Sequence, residues 1–223
     1  MRILVKFQKT GAACYISHLD LLRTIQRTVK RMGLKVCYSQ GFNPHPVLSF
    51  AQALPLGQQS MGEYMEMELE EGVQLEGFLE AFNAQAPEGI RALNIRTMGE
   101  KEPNCMAAVC AAEYDIKVDA GIADAIQSAL YAFEAAEEVP YQKRGKAGIK
   151  TVNMRPQVFK IEMHGNEITA LISAGQSHLP VSALMEALHR LSGVQQEIAY
   201  DVTRLELYTR DGNDALVPLQ NAG

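Results

Sequence analysis

The 223-residue chain has no run of 18 apolar residues, so nothing in it reads as a membrane span. It has only four cysteines (Cys14, Cys37, Cys105, Cys110), and none stands in CxxC spacing. That spacing argues against a thiolate zinc site and for reduced thiols in a cytoplasmic protein. No GxGxxG, no P-loop and no metal-spaced ligand set occurs, so no cofactor motif is present. Met1–Phe7 alternates like a strand and lacks the apolar region and cleavage site of a secretory signal.

What remains is 47% apolar, enough for a proper core in one large or two small domains. The net charge of −5 is segregated. Residues 1–50 hold eight Lys or Arg against one acid, and 51–140 hold four against seventeen. Residues 141–160 hold six against none, and 161–223 hold three against eight. Two basic islands thus stand in an acidic protein. They either steer an anionic partner or pair with the acidic segments in the fold.

Periodicity predicts a strand over 2–8, with Ile3, Val5 and Phe7 on one side. Ser17 reads as a helix N-cap with Asp20 closing a capping box and Ile16 and Leu21 as a hydrophobic staple. The helix puts Leu22, Ile25, Val29 and Met32 on one face and ends at Gly33. Short extended pieces follow at 35–40 and 47–53, a strand at 61–69, a helix through Leu75–Phe82 and a strand at 90–98. A polar stretch around 101–107 reads as a linker. The same order recurs: strand 109–118, a helix on Ile122, Ile126, Leu130 and Phe133, a hairpin turning at Gly165-Asn166, a helix closed by Gly193, and a strand at 198–208. Two βαββαβ units predict an α+β protein of two ferredoxin-like domains with antiparallel sheets, 1–100 and 108–210, with a loose tail at 211–223.

Two segments carry candidate chemistry: Ser17-His18-Leu19-Asp20, and Tyr38-Ser39-Gln40-Gly41-Phe42-Asn43-Pro44-His45-Pro46. His18 sits in a first helical turn, where the dipole favours a neutral imidazole; His45 is held between two prolines. The two are candidate general base and acid; alternatively His18 packs over the turn and the proline segment is a rigid, self-capped turn. Arg23, Arg27 and Lys30 lie on a second face of the helix, and Ser39, Gln40, Phe42 and Asn43 on the turn. All are candidate substrate contacts, Phe42 as a stacking platform if exposed and a plug if buried. Lys143, Lys146 and Lys150, interleaved with glycines, suit a mobile phosphate-gripping loop or a solvated one. Arg155 suits a bidentate phosphate fork or a salt bridge to the acidic middle.

The run from Lys6-Phe7 through Gly11, Tyr15–Asp20, Arg23, Tyr38–Pro46 and Ser49-Phe50 to Leu54-Pro55-Leu56-Gly57 resembles the bacterial radical SAM-linked proteins of unknown function. The likeness is strong over residues 1–70 and weaker through Lys150 and Asn153-Met154-Arg155-Pro156. The chain departs from that pattern at Ala13-Cys14 and Leu179-Pro180, where family members have Arg and Arg-Pro. The resemblance implies an accessory protein beside a radical SAM partner. This chain lacks the CxxxCxxC triad, so the partner would carry the iron–sulfur cluster and S-adenosylmethionine. Pairing ferredoxin-like domains is also a loose fold-level likeness to RAMP-type CRISPR RNA-processing proteins. Three functions follow: a module presenting RNA or another phosphate-bearing substrate to the radical SAM protein, a metal-independent endoribonuclease using His18 and His45, or an adaptor docking that protein.

Overall fold

Ile3, Val5 and Phe7 alternate along β1 (Arg2–Lys9) and are completely buried, so one face of the strand must be covered. In the computed structural model, which describes residues 1–145 and 148–222, α1 (His18–Arg31) and α2 (Phe78–Gln85) do so. The intervening strands are β2 (Leu48–Phe50), β3 (Gln59–Glu68) and β4 (Ile90–Thr97). They hydrogen-bond in the order β4-β1-β3, with β2 on the far side of β3 and every pair antiparallel. That is ferredoxin-like topology. Ile3 registers with Met67 and Val5 with Met65; these pack with Leu21, Ile25 and Val29 of α1 and Phe78 and Phe82 of α2. Each such side chain contributes about 1.5–3 kcal/mol on burial. Gly33, at φ +67, ends α1: its N–H bonds to the Lys30 carbonyl and that of Leu34 to Val29, a Schellman turn.

A short helix, α3 (Cys105–Ala108), precedes the second unit, Ala111–Val202. Here β5 (Ala111–Val118) leads to α4 (Ala123–Ala135), a ribbon of β6 (Pro140–Gly145) and β7 (Gly148–Asn153), β8 (Val158–His164), β9 (Glu167–Ser173) and α5 (Val181–Ser192). β9 pairs antiparallel with β5 and β8, and α4 packs on α5. The fold is α+β, as the pattern predicts. The basic island is no loop but the β6–β7 ribbon, paired from Pro140↔Asn153 to Gly145↔Gly148. Its Tyr, Ile, Thr and Val favour strand, and the two glycines stand opposite each other as the last described pair of the ribbon rather than breaking it.

β10 (Tyr200–Arg210) begins in the second unit, but from Thr203 the chain belongs to the first, with β11 (Leu216–Pro218). β10 runs parallel to β3 at Gln59 and Ser60 and antiparallel to β11. The sequence reading of a loose tail and a linker at 101–107 is therefore replaced. Leu219 is 1% exposed, and its carbonyl accepts from Arg96 at 3.2 Å. Both Arg96 Nη atoms clasp the Glu102 carboxylate, while Arg2 donates to the Glu102 carbonyl at 2.9 Å. Cys105 is buried; its N–H reaches Glu66 at 2.9 Å, and burial pushes its thiol up to about 12. No helix among the described residues is long and apolar enough to cross a membrane.

Acid should release the tail. Arg96 holds the Glu102 carboxyl below its usual range. A depressed folded pKa gives a contribution complete above the unfolded value of about 4.3, lost as pH falls through the folded one. Protection of the 216–221 amides relative to their intrinsic exchange rates should fall below about pH 4, and Glu102→Gln should lower it at neutral pH. Unchanged protection in that variant would mean the Arg96 clasp does not hold the tail.

Candidate functional site

Both motif segments lie in the first unit, and each is fixed by local hydrogen bonds. Ser17 caps α1: its Oγ accepts from the Asp20 N–H at 3.2 Å, and its hydroxyl donates to Asp20 Oδ2 at 2.7 Å. The Ser17 hydroxyl, and after it Arg23, holds the Asp20 carboxyl below the ordinary range. His18 opens the helix, exposed to solvent on one side. Its ring meets Phe50 edge-on, centroids 5.2 Å apart, and Phe50 in turn leans on Phe7. The start of α1 is thereby tied to the strand that follows the proline segment.

Residues 37–47 form a narrow hairpin. Val47 N–H donates to the Cys37 carbonyl and Ser39 N–H to the His45 carbonyl, both at 2.9 Å. His45 N–H donates to Ser39 Oγ at 3.2 Å, and His45 Nδ1 lies 3.1 Å from that oxygen and 3.2 Å from the Asn43 carbonyl. Gly41 takes φ +133, a region closed to most side chains. Phe42 at the tip is fully exposed, which removes the reading of a buried plug. Gln40, Asn43 and His45 are exposed as well. Among the described residues no hydrogen bond or ring stacking joins the imidazoles of His18 and His45. Each serves its own segment.

Arg23, Arg27 and Lys30 are all exposed on α1. Arg23 is held by Asp20 at 3.2 Å, whereas Arg27 and Lys30 form no ion pair among the described residues. Arg31 instead donates to the Gln85 carbonyl at 2.6 Å and fastens α1 to the end of α2.

The first unit also buries two ionic groups that periodicity does not reveal. Arg204, at 0% exposure, forks onto Glu63, at 2%, through bonds of 2.6–2.8 Å. Arg204 also donates to the Gln52 and Ala53 carbonyls. Lys9, equally buried, gives its Nζ to the Ile16 carbonyl at 3.1 Å and the Cys14 carbonyl at 3.4 Å, pinning the turn before Ser17. Desolvation lowers its pKa, against the opposing pull of Glu63. Glu206 takes Lys6 at 2.6 Å and the Tyr64 hydroxyl at 2.7 Å; burial and that carboxylate push Tyr64 far up. The one sequence signal is charge inside strands that are otherwise apolar. Of these groups, Lys9 is the one that holds the segment leading to the Ser17 cap.

In the second unit, Lys143 stands directly across from Lys150 on the ribbon and donates to the His178 carbonyl at 3.1 Å. Arg144 and Lys150 are exposed, and Lys146 lies outside the described residues. Arg155 is half-buried, its guanidinium 5.5 Å from the Phe133 ring centroid and donating to the Val158 carbonyl at 3.4 Å. Neither the phosphate fork nor the salt bridge expected for it describes that packing. Its neighbour Asn153 receives the Val139 and Arg155 N–H groups at 2.9 and 3.0 Å and so fastens the ribbon's base. No group of three His, Cys, Asp or Glu suited to a metal occurs among the described residues.

Among solved structures, a chain in the crystal structure of a Cbf5-Nop10-Gar1 complex matches at TM-score 0.50 and 12% identity. The match covers 92% of this chain and 48% of that one, so this chain spans about half its length. At that identity the likeness speaks for the α+β fold alone. An unknown protein from Galdieria sulphuraria aligns at TM-score 0.28 and 10% identity over 91% of this chain and 97% of its own. No curated protein matches. A family model described as an uncharacterized protein conserved in bacteria (DUF2344) matches residues 2–182, most of the chain and both motif segments; the chain belongs to this bacterial family.

Proposed function

We propose that this chain is an accessory module that binds RNA, or another phosphate-bearing substrate, and presents it to a radical SAM protein. That partner would supply the iron–sulfur cluster and S-adenosylmethionine. The observation that carries the reading is the exposed pair Arg27 and Lys30, without an ion pair among the described residues, in a stretch with no Asp or Glu between Asp20 and Glu63. Asp20 is near enough to feel Arg27, but neither cation is neutralised by an ion pair among the described residues, and that surplus of positive charge suits a polyanion. Lys143 opposite Lys150 adds a like-charged cross-strand pair, one member of which donates to the His178 carbonyl and both of which an anion would neutralise. Docking of the partner is supported by the exposed apolar side chains of Tyr15, Leu19 and Leu56 in the motif-bearing segments. The nuclease reading is weaker, because His18 packs on Phe50 and His45 Nδ1 is engaged within its own hairpin.

Filter binding of single-stranded RNA tests the proposal. With four phosphates neutralised, affinity should fall about fiftyfold between roughly 50 and 200 mM salt. A flat response, or no binding, sinks it. In EDTA the bound strand should stay intact; cleavage abolished by His18→Ala with His45→Ala would hand the function to the nuclease reading.

A further inference from the structure

We infer that Phe42 stacks on an unpaired base of the bound strand, so that the hairpin 37–47 favours single-stranded over duplex RNA. The inference rests on the RNA reading above and adds the kind of strand and the contact. A fully exposed phenyl ring is uncommon on a surface that nothing covers. This one is held out on a stiff support. Two backbone bonds close the hairpin, the Ser39–His45 contacts lock it, and Pro44 and Pro46 limit its backbone. Little freedom is left to lose when a ligand arrives.

The neighbouring groups define the ligand. A protein partner would call for a contiguous apolar patch. The exposed groups next to Phe42 at the tip are instead the amides of Gln40 and Asn43 and the ring of His45, while Tyr38 and Val47, the other large apolar side chains exposed on the hairpin, lie at its paired base. His45 Nδ1 is engaged inside the hairpin by the Ser39 hydroxyl oxygen at 3.1 Å and the Asn43 carbonyl at 3.2 Å, so Nε2 is the ring nitrogen left for a ligand. A π-face beside amide donors and acceptors complements the face and edge of a nucleobase. A base paired in a duplex offers neither freely. The absence of any carboxylate between Asp20 and Glu63 keeps repulsion from the attached phosphates low.

The chain has no tryptophan, so Phe42→Trp places a single reporter at the tip of the full-length protein. Oligoadenylate should quench its emission, whereas oligoadenylate paired with oligouridylate, or free AMP at equal base concentration, should not. Phe42→Ala should weaken oligoadenylate binding about tenfold and leave duplex affinity and thermal stability as in the parent. Unchanged emission while filter binding shows the strand bound would overturn the stacking and leave the RNA reading in place. Equal quenching by AMP would move the site to free nucleotides and overturn the strand assignment. Failure of the parent protein to bind any strand would remove both.

Discussion

Arg204→Ala should destabilise the first unit by about 3–5 kcal/mol, because it strands the Glu63 carboxylate in a site with almost no water. Arg204 lies on β10 and Glu63 on β3, and the parallel pairing of these strands at Gln59 and Ser60 brings them together. Removing the guanidinium deletes the fork onto Glu63 and the donors to Gln52 and Ala53 at once. Lys9 compensates only in part, since two of its three ammonium donors are committed to the Cys14 and Ile16 carbonyls. In a chain of this size the destabilisation corresponds to a fall in Tm of about 10–15 °C. Urea melts followed by the circular dichroism of variant and parent read it. Arg204→Met with Glu63→Leu should recover most of the stability, since a packed apolar pair needs no compensation for charge. A single variant melting within about 1 kcal/mol of the parent would mean that water reaches the carboxylate.

Arg27→Gln with Lys30→Gln should weaken single-stranded RNA binding about sixtyfold at roughly 50 mM salt and leave the Tm unchanged. Taking away one cation that neutralises a phosphate lowers affinity by about 0.9 decade at that ionic strength and flattens the salt slope by about 0.7. Both side chains are exposed and form no ion pair among the described residues, so substitution stays within about 0.5 kcal/mol in stability. Relief of the i, i+3 repulsion between them acts in the same direction. Arg23→Gln should cost less, because Asp20 already holds that guanidinium at 3.2 Å. Equal effects for Arg23 and Arg27 would mean that total charge, not this face, governs binding.

The elements most legible in the sequence are those set by neighbours a few residues away. Alternation of Ile3, Val5 and Phe7 gives β1 its buried face; Ser17 starts α1 and Gly33 stops it. α4 and α5 follow their apolar stripes, and α5 ends at Gly193 with φ +70. The ribbon is harder to read because the charges of Lys143, Arg144 and Lys150 mask its strand formers. The exposure of Phe42 is harder still, since a lone aromatic beside a glycine is more often a buried plug than a platform.

By itself the sequence determined the α+β class, the capped basic helix and the two motif-bearing segments, because capping, turn chemistry and side-chain periodicity act over one or two turns of chain. Only the tertiary structure decided that residues after Thr203 return to the first unit, that Arg155 lies over Phe133, and that Glu63 meets a partner 141 residues away. An ion is tolerated in an apolar interior only when its counter-charge is placed within hydrogen-bond reach. That placement depends on which strands lie side by side, a matter no local pattern records.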